Sequence, residues 1–161
     1  MAIVRIDYSV VVRLLVARFK SAAFPVLMPS EPERDGVELY SRLMTMTFEP
    51  TRRVSGDGQP DHAKVSLSFA VCGSQKSVED GGDGAVAAVM SDLMTFVDET
   101  PYLTDATTSI SVELDRPNAE IMQKLELASG FAFASVNATG RAIREQQIGS
   151  STLPTVDTPR P

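Results

Sequence analysis

The sequence predicts an α+β domain: a mostly antiparallel sheet with one helix packed across it and an amphipathic helix at the N-terminus. Three stretches carry that expectation. "AKVSLSFAVC" (63–72) alternates apolar and polar residues, "TTSISVELD" (107–115) does so again, and between them Val86, Val89, Met90, Leu93 and Val97 recur at helical intervals. Period-two alternation buries one side of an extended chain; recurrence every three or four residues buries one stripe of a helix.

The elements follow in chain order. Asp7 is a residue type that caps the free N–H groups of a helix start, and behind it Tyr8, Val11, Val12, Leu15 and Phe19 predict helix over 8–22. The run Val10-Val11-Val12 makes a strand the competitor, because β-branched side chains lose rotamer freedom in a helix. Three prolines and a glycine in "PVLMPSEPERDG" (25–36) predict an irregular connection. The next run, "VELYSRLMTMTFEPTRRV", has strand parity from Thr45 onward, while its beginning suits either state. Turn formers in "SGDGQPD" (55–61) join this strand to 63–72 as an antiparallel hairpin with a long, mobile tip.

The helix predicted over 84–97 stops at Pro101, which disfavours helical backbone in the residue before it. Strand 107–115 follows, then the turn "RPNAE". "LELASGFAFASVN" (125–137) reads as the last strand, with Leu125, Leu127, Phe131 and Phe133 on one parity; residues 118–128 read as either a short helix or a strand. From Gln146 the composition turns to Ser, Thr, Pro and Gly, with little to bury. The organisation is one domain over 1–145 and an extended or flexible tail over 146–161. Leu67, Phe69, Val71, Val89, Leu93, Ile110 and Val112 form the expected core.

With 43% hydrophobic and 22% charged residues, and no run near the roughly 20 apolar residues that cross a bilayer, a soluble chain without a membrane partner is expected. Arg5, Asp7, Arg13, Arg18 and Lys20 interrupt the apolar N-terminus, so secretion is not expected and synthesis in the cytoplasm is. Cys72 is the only cysteine, which excludes an internal disulfide and a cysteine-rich metal site. The net charge of −6 is uneven: residues 1–53 hold 8 basic and 6 acidic side chains, residues 54–161 hold 7 and 15. Segment 79–105 carries Glu79, Asp80, Asp83, Asp92, Asp98, Glu99 and Asp105 and no Lys or Arg, a surface that repels nucleic-acid phosphates.

One loop has the letters of a cofactor site. "GDGAVA" (82–87) matches Gly-x-Gly-x-x-Ala, but the preceding strand ends near Cys72, and the first strand-borne acids, Glu113 and Asp115, come 31 and 33 residues after Gly82. A dinucleotide fingerprint needs its glycine directly after a strand and its acid about 20 residues on. Glu79, Asp80 and Asp83 would oppose a pyrophosphate, and a calcium loop counted from Asp80 has Ser91 where a bidentate Glu belongs. The simpler reading is that Asp80 and Asp83 complement the positive end of the following helix. His62, the only histidine, lies at a turn beside Asp61 without a second ligand or a nucleophile at a recognised spacing. Cys72 reads as a packed small side chain, and Arg52 and Arg53 as a solvated or interface pair. No catalytic, cofactor or metal site is expected, and no enzyme.

The order helix, hairpin, helix, then two strands, with "GAVAAVMSDLMTFVDETPYL" between "AKVSLSFAVC" and "TTSISVELD", resembles the tail terminator (tail completion) proteins of long-tailed bacteriophages over roughly residues 8–140. That resemblance implies a structural virion protein. It implies a homo-oligomeric ring, a hexamer in that family, that stops tail-tube polymerisation and meets the head connector, with DNA only as passing cargo. This chain is longer at 25–36 and at the C-terminus than the pattern requires. The uneven charge suits head-to-tail contacts on its own account. The acids Asp92, Asp98, Glu99 and Asp105 would meet Arg13, Arg18, Arg52 and Arg53 of a neighbour, or line a channel through which DNA passes. Another virion or decoration protein, and a small α+β enzyme or ligand-binding domain, are the competing readings.

Overall fold

A computed structural model describes residues 6–32, 38–51, 61–74, 78, 82–127 and 130–144. The expected tail, the hairpin tip, Asp80, Arg52 and Arg53 lie outside the described residues. The architecture is α+β: a curled, mostly antiparallel sheet that closes half a barrel, with two helices. In chain order the elements are α1 (Tyr8–Lys20), β1 (Val26–Leu27), β2 (Tyr40–Pro50), β3 (Asp61–Gly73), α2 (Gly82–Asp98), β4 (Leu103–Asp105), β5 (Ile110–Leu114), β6 (Asn118–Leu127) and β7 (Gly130–Arg144). Among the described residues, no helix is long and apolar enough to cross a membrane.

Helix α1 begins where Asp7 accepts the backbone N–H of Ser9 at 3.0 Å, which satisfies one of the donors a helix start leaves free. It buries Val10, Val11, Leu15 and Phe19. Helix α2 buries Val86, Leu93 and Val97. One core cluster takes Val10, Val11, Leu15 and Phe19 from α1, Leu93 and Val97 from α2, and Leu43, Val65, Leu67, Phe69, Ile110, Val112 and Val136 from the sheet. Two helices therefore share the buried side of the sheet, where the sequence pattern placed one helix across it. The Phe19 and Phe69 rings meet edge to face at 5.0 Å between centroids, tying α1 to the middle of β3.

The sheet order is β1-β2-β3-β7-β5-β4, with β6 also paired to β7. β2 and β3 form the expected hairpin, Tyr40 opposite Cys72 and Pro50 opposite Ala63, with a bulge between Leu43 and Thr45. β3 then pairs with β7 along its whole length. The far edge of β7 is divided: its first half pairs with β6 and its end with β5.

Several expectations are corrected. The connection at 25–36 holds β1, parallel to β2. Residues 118–128 are strand through Leu127, and 125–137 is not one strand: Leu127 pairs with Gly130, so the chain reverses between them. Gly130 adopts φ 158° and lies against Gly73, a close approach that has room for no side chain without a shift. Val89 is only half-buried and packs with Val71, Val86, Phe133 and Ala134 in a separate cluster. Ala132, Ala134, Ala138 and Ala142 are all buried on β7, where small side chains let neighbouring elements approach closely.

Candidate functional site

The charged residues sort into those used within the chain and those left facing outward. Arg13 and Asp105, 92 residues apart, meet at 3.3 Å across α1 and β4. Asp105 also accepts the N–H and hydroxyl of Thr108, at 3.0 and 2.6 Å, and these bonds, more than Arg13, lower its pKa. Arg18 donates to the Phe96 carbonyl at 2.9 Å and to the Thr100 hydroxyl at 3.2 Å, and its guanidinium lies 3.8 Å from the centre of the Phe96 ring. The last turn of α2 has no basic residue, while Asp98 sits at its end and Glu99 follows. Negative groups beside the negative end of a helix are unfavourable, and Arg18 of α1 supplies the missing cation from outside the helix.

Of the eight charged residues expected on a subunit interface, Arg13, Arg18 and Asp105 thus have partners within one chain. Asp98 lies 3.8 Å from the exposed Arg116. Asp92 and Glu99 are exposed. Arg52 and Arg53 lie outside the described residues.

The sheet face turned away from the helices is polar over the half that runs from Ser68 to Lys64 of β3, whereas toward the other end Ala70 and Cys72 are buried there with Leu27, Tyr40 and Ala132. Register places Thr45, Ser68 and Asn137 in one row, Thr47, Ser66 and Thr139 in the next, and Glu49, Lys64, Arg141 and Glu113 in a third. Arg141 reaches Glu113 at 3.1 Å, so the charged row is internally compensated. Two long edges flank this face. β6 has no strand on its outer side among the described residues, and exposes Ile121 and Leu125 at 43% and 57%. Among the described residues β2 is covered by β1 only at Ser41 and Arg42, and no strand pairs with the outer side of the stretch from Met44 to Pro50.

Arg42 is the buried cation that sequence reading missed. Only 8% of it is exposed; one terminal nitrogen, Nη1, donates to the Met28 carbonyl at 3.1 Å, and the other, Nη2, is buried without a hydrogen-bond partner. Glu31 lies close by but is turned toward Lys20, accepting its ammonium at 2.8 and 2.9 Å and the Met28 N–H at 2.7 Å. The Lys20 hydrogen bond, ahead of the one from Met28, lowers the Glu31 pKa, and Arg42 adds a smaller pull in the same direction. Pro29, Glu31, Pro32, Arg42, Leu43, Met44 and Leu127 line an open cavity of about 450 Å³ at the β2 bulge. No sequence signal marks this place, because an unsatisfied donor is a property of packing.

Asp7, Glu31 and Asp105 all hold their carboxyl groups below the ordinary value, Asp7 chiefly through the Ser9 hydroxyl. A depressed folded-state pKa gives stability that is complete above the unfolded value and is lost as pH falls through the folded one. The melting temperature is therefore expected to fall once pH drops below about 4. Thr108→Val, which removes one hydrogen bond to Asp105, should make that fall shallower; an unchanged acid limb in thermal melts would contradict the assignment.

The remaining sequence candidates hold no assembled chemistry. His62 is half-buried in β3 opposite Ile143, Cys72 is buried beside Leu27, Tyr40, Ala70 and Ala132, and Gly82 opens α2 with Asp83 in its first turn. Among the described residues no three His, Cys, Asp or Glu side chains group to hold a metal. No family model matches the chain. No curated protein matches it either. One solved structure similar to it shares 14% identity over 84% of this chain and 97% of its own, with a TM-score of 0.46. A likeness at that level carries no argument about what the chain does.

Proposed function

We propose that the chain is a structural virion protein whose copies form a ring, capping the phage tail tube and joining it to the head connector. The reading starts from the resemblance in element order. The observation that supports it best is the helix-free sheet face, where Thr45, Thr47, Ser66, Ser68, Asn137 and Thr139 offer hydroxyls and amides without an unpaired row of cations. A polyanion passes such a surface without adhering, because phosphate affinity comes chiefly from Lys and Arg. The open sides of β2 and β6 lie at opposite ends of one sheet, and edges that differ are joined head-to-tail, the contact type that closes into rings. In this reading α1 is amphipathic, with Arg13 and Lys20 on its exposed side toward the tube or connector. The chain is made in the host cytoplasm, carried in the virion, and performs no catalysis.

The test is oligomer mass by light scattering from low to high salt. With Arg13, Arg18 and Asp105 engaged inside the chain, strand-edge contacts are expected to hold a ring whose mass persists at high salt. Dissociation there would instead point to exposed charge pairs, which salt screens. A monomer at every salt concentration would defeat the ring reading.

A further inference from the structure

The cavity at the β2 bulge is lined in part by a guanidinium whose hydrogen bonding is incomplete. A guanidinium carries five N–H donors and a full positive charge, and the Arg42 side chain, nine-tenths buried, makes one hydrogen bond to a neutral carbonyl. A charge taken out of water is costly unless an opposite charge and hydrogen bonds replace the lost solvent. The nearest carboxylate does not do so: both oxygens of Glu31 are held by Lys20, and one also by the Met28 N–H. Among the described residues no other carboxylate pairs with Arg42.

We propose that this cavity is a carboxylate-binding site in which Arg42 receives the carboxylate. Three features select that chemistry. The planar fork of arginine matches the two oxygens of a carboxylate. Pro29, Pro32, Met44 and Leu127 give the cavity apolar walls, which suit a short organic body behind the charged end. Glu31, also in the wall, repels a phosphate dianion more strongly than a monoanion. The cavity opens beside the uncovered stretch of β2, so the carboxylate can be free in solution or be carried on an acidic side chain of a second copy. The site itself does not depend on ring formation.

The experiment follows the backbone amide signals of Met44 and Leu127 in the full chain during a sodium butyrate titration, with sodium chloride at equal ionic strength as the control. Butyrate is expected to shift both signals saturably. Arg42→Lys, which keeps the charge and loses the fork, should weaken half-saturation by about tenfold or more. Met44→Glu, at a position already partly exposed, places a carboxylate in the wall and should abolish the response; it keeps the test intact if Arg42→Lys does not fold. If a second copy supplies the carboxylate, the same signals move with protein concentration, and butyrate raises the monomer fraction. Signals that move with neither butyrate nor concentration, or that move as far with chloride, overturn the proposal. A chain that stays monomeric at all salt concentrations and still binds butyrate would remove the ring and leave the site.

Discussion

Replacing Gly140 by alanine is expected to cost about 3 kcal/mol or more, enough to deplete the folded state of a marginally stable domain. Gly140 lies in β7 opposite Leu114 of β5, at the place where β7 has left β6 and taken up its second partner. A Cβ added there would overlap the Glu113 carbonyl oxygen and come within 2.9 Å of the Leu114 Cα. Both are backbone atoms, so no rotamer change relieves the overlap; β5 would have to move away from β7 and carry β4 with it. Gly84→Ala is the matched control, because a Cβ meets nothing within 4 Å there and the helical backbone of α2 favours alanine by roughly 0.5–1 kcal/mol. Urea unfolding of the two variants measures the contrast. Equal midpoints would show that β5 does not lie against β7 at this point.

Leu93→Ala is the second large effect. Leu93 is fully buried in the cluster that both helices share with β2, β3, β5 and β7, so its truncation removes apolar contacts and leaves a void bounded by several elements. The expected cost is about 2–5 kcal/mol, or a melting temperature lower by roughly 5–15 °C. Val89→Ala, on the same helix but half-buried and in the smaller cluster with Phe133, should cost clearly less. A Leu93→Ala variant that melts with the parent would contradict the packing of α2 on the sheet.

What the sequence made legible is what packing treats in a one-sided way. The first half of β3 and β5 each bury one parity, and α2 buries one stripe, so their patterns show in the letters. β6 has no such asymmetry: its apolar Ile121 and Leu125 are exposed along with its charged residues, and without a buried face no alternation marks it as strand. The parity shared by Leu125, Leu127, Phe131 and Phe133 runs across two antiparallel strands, because residues of neighbouring strands can keep one alternation in the sequence. The second half of β7 was hidden by its small residues, for Ala138 and Ala142 are buried without being large. Charges were less legible still. Arg13, Arg18 and Asp105 read as outward-facing interface groups in the sequence, but their partners lie 78 to 92 residues away. Arg42 carries no sequence signal, although one of its nitrogens is buried without a hydrogen-bond partner.

The placement of β7 also governs when the sheet can form. It is the last strand among the described residues, yet β3, β5 and β6 all pair with it. Asp61 must find Arg144 and Gly73 must find Phe131, contacts that close loops of 83 and 58 residues. Such non-local pairing slows folding into the millisecond-to-second range typical of sheet-rich domains. During synthesis from the N-terminus, β3 emerges with one side paired to β2 and the other waiting, and that waiting strand carries Val65, Leu67, Phe69 and Val71 on one face. Until the ribosome has delivered β7, the nascent chain holds a sticky strand edge in the open, where a second nascent chain can reach it as readily as its own C-terminus can.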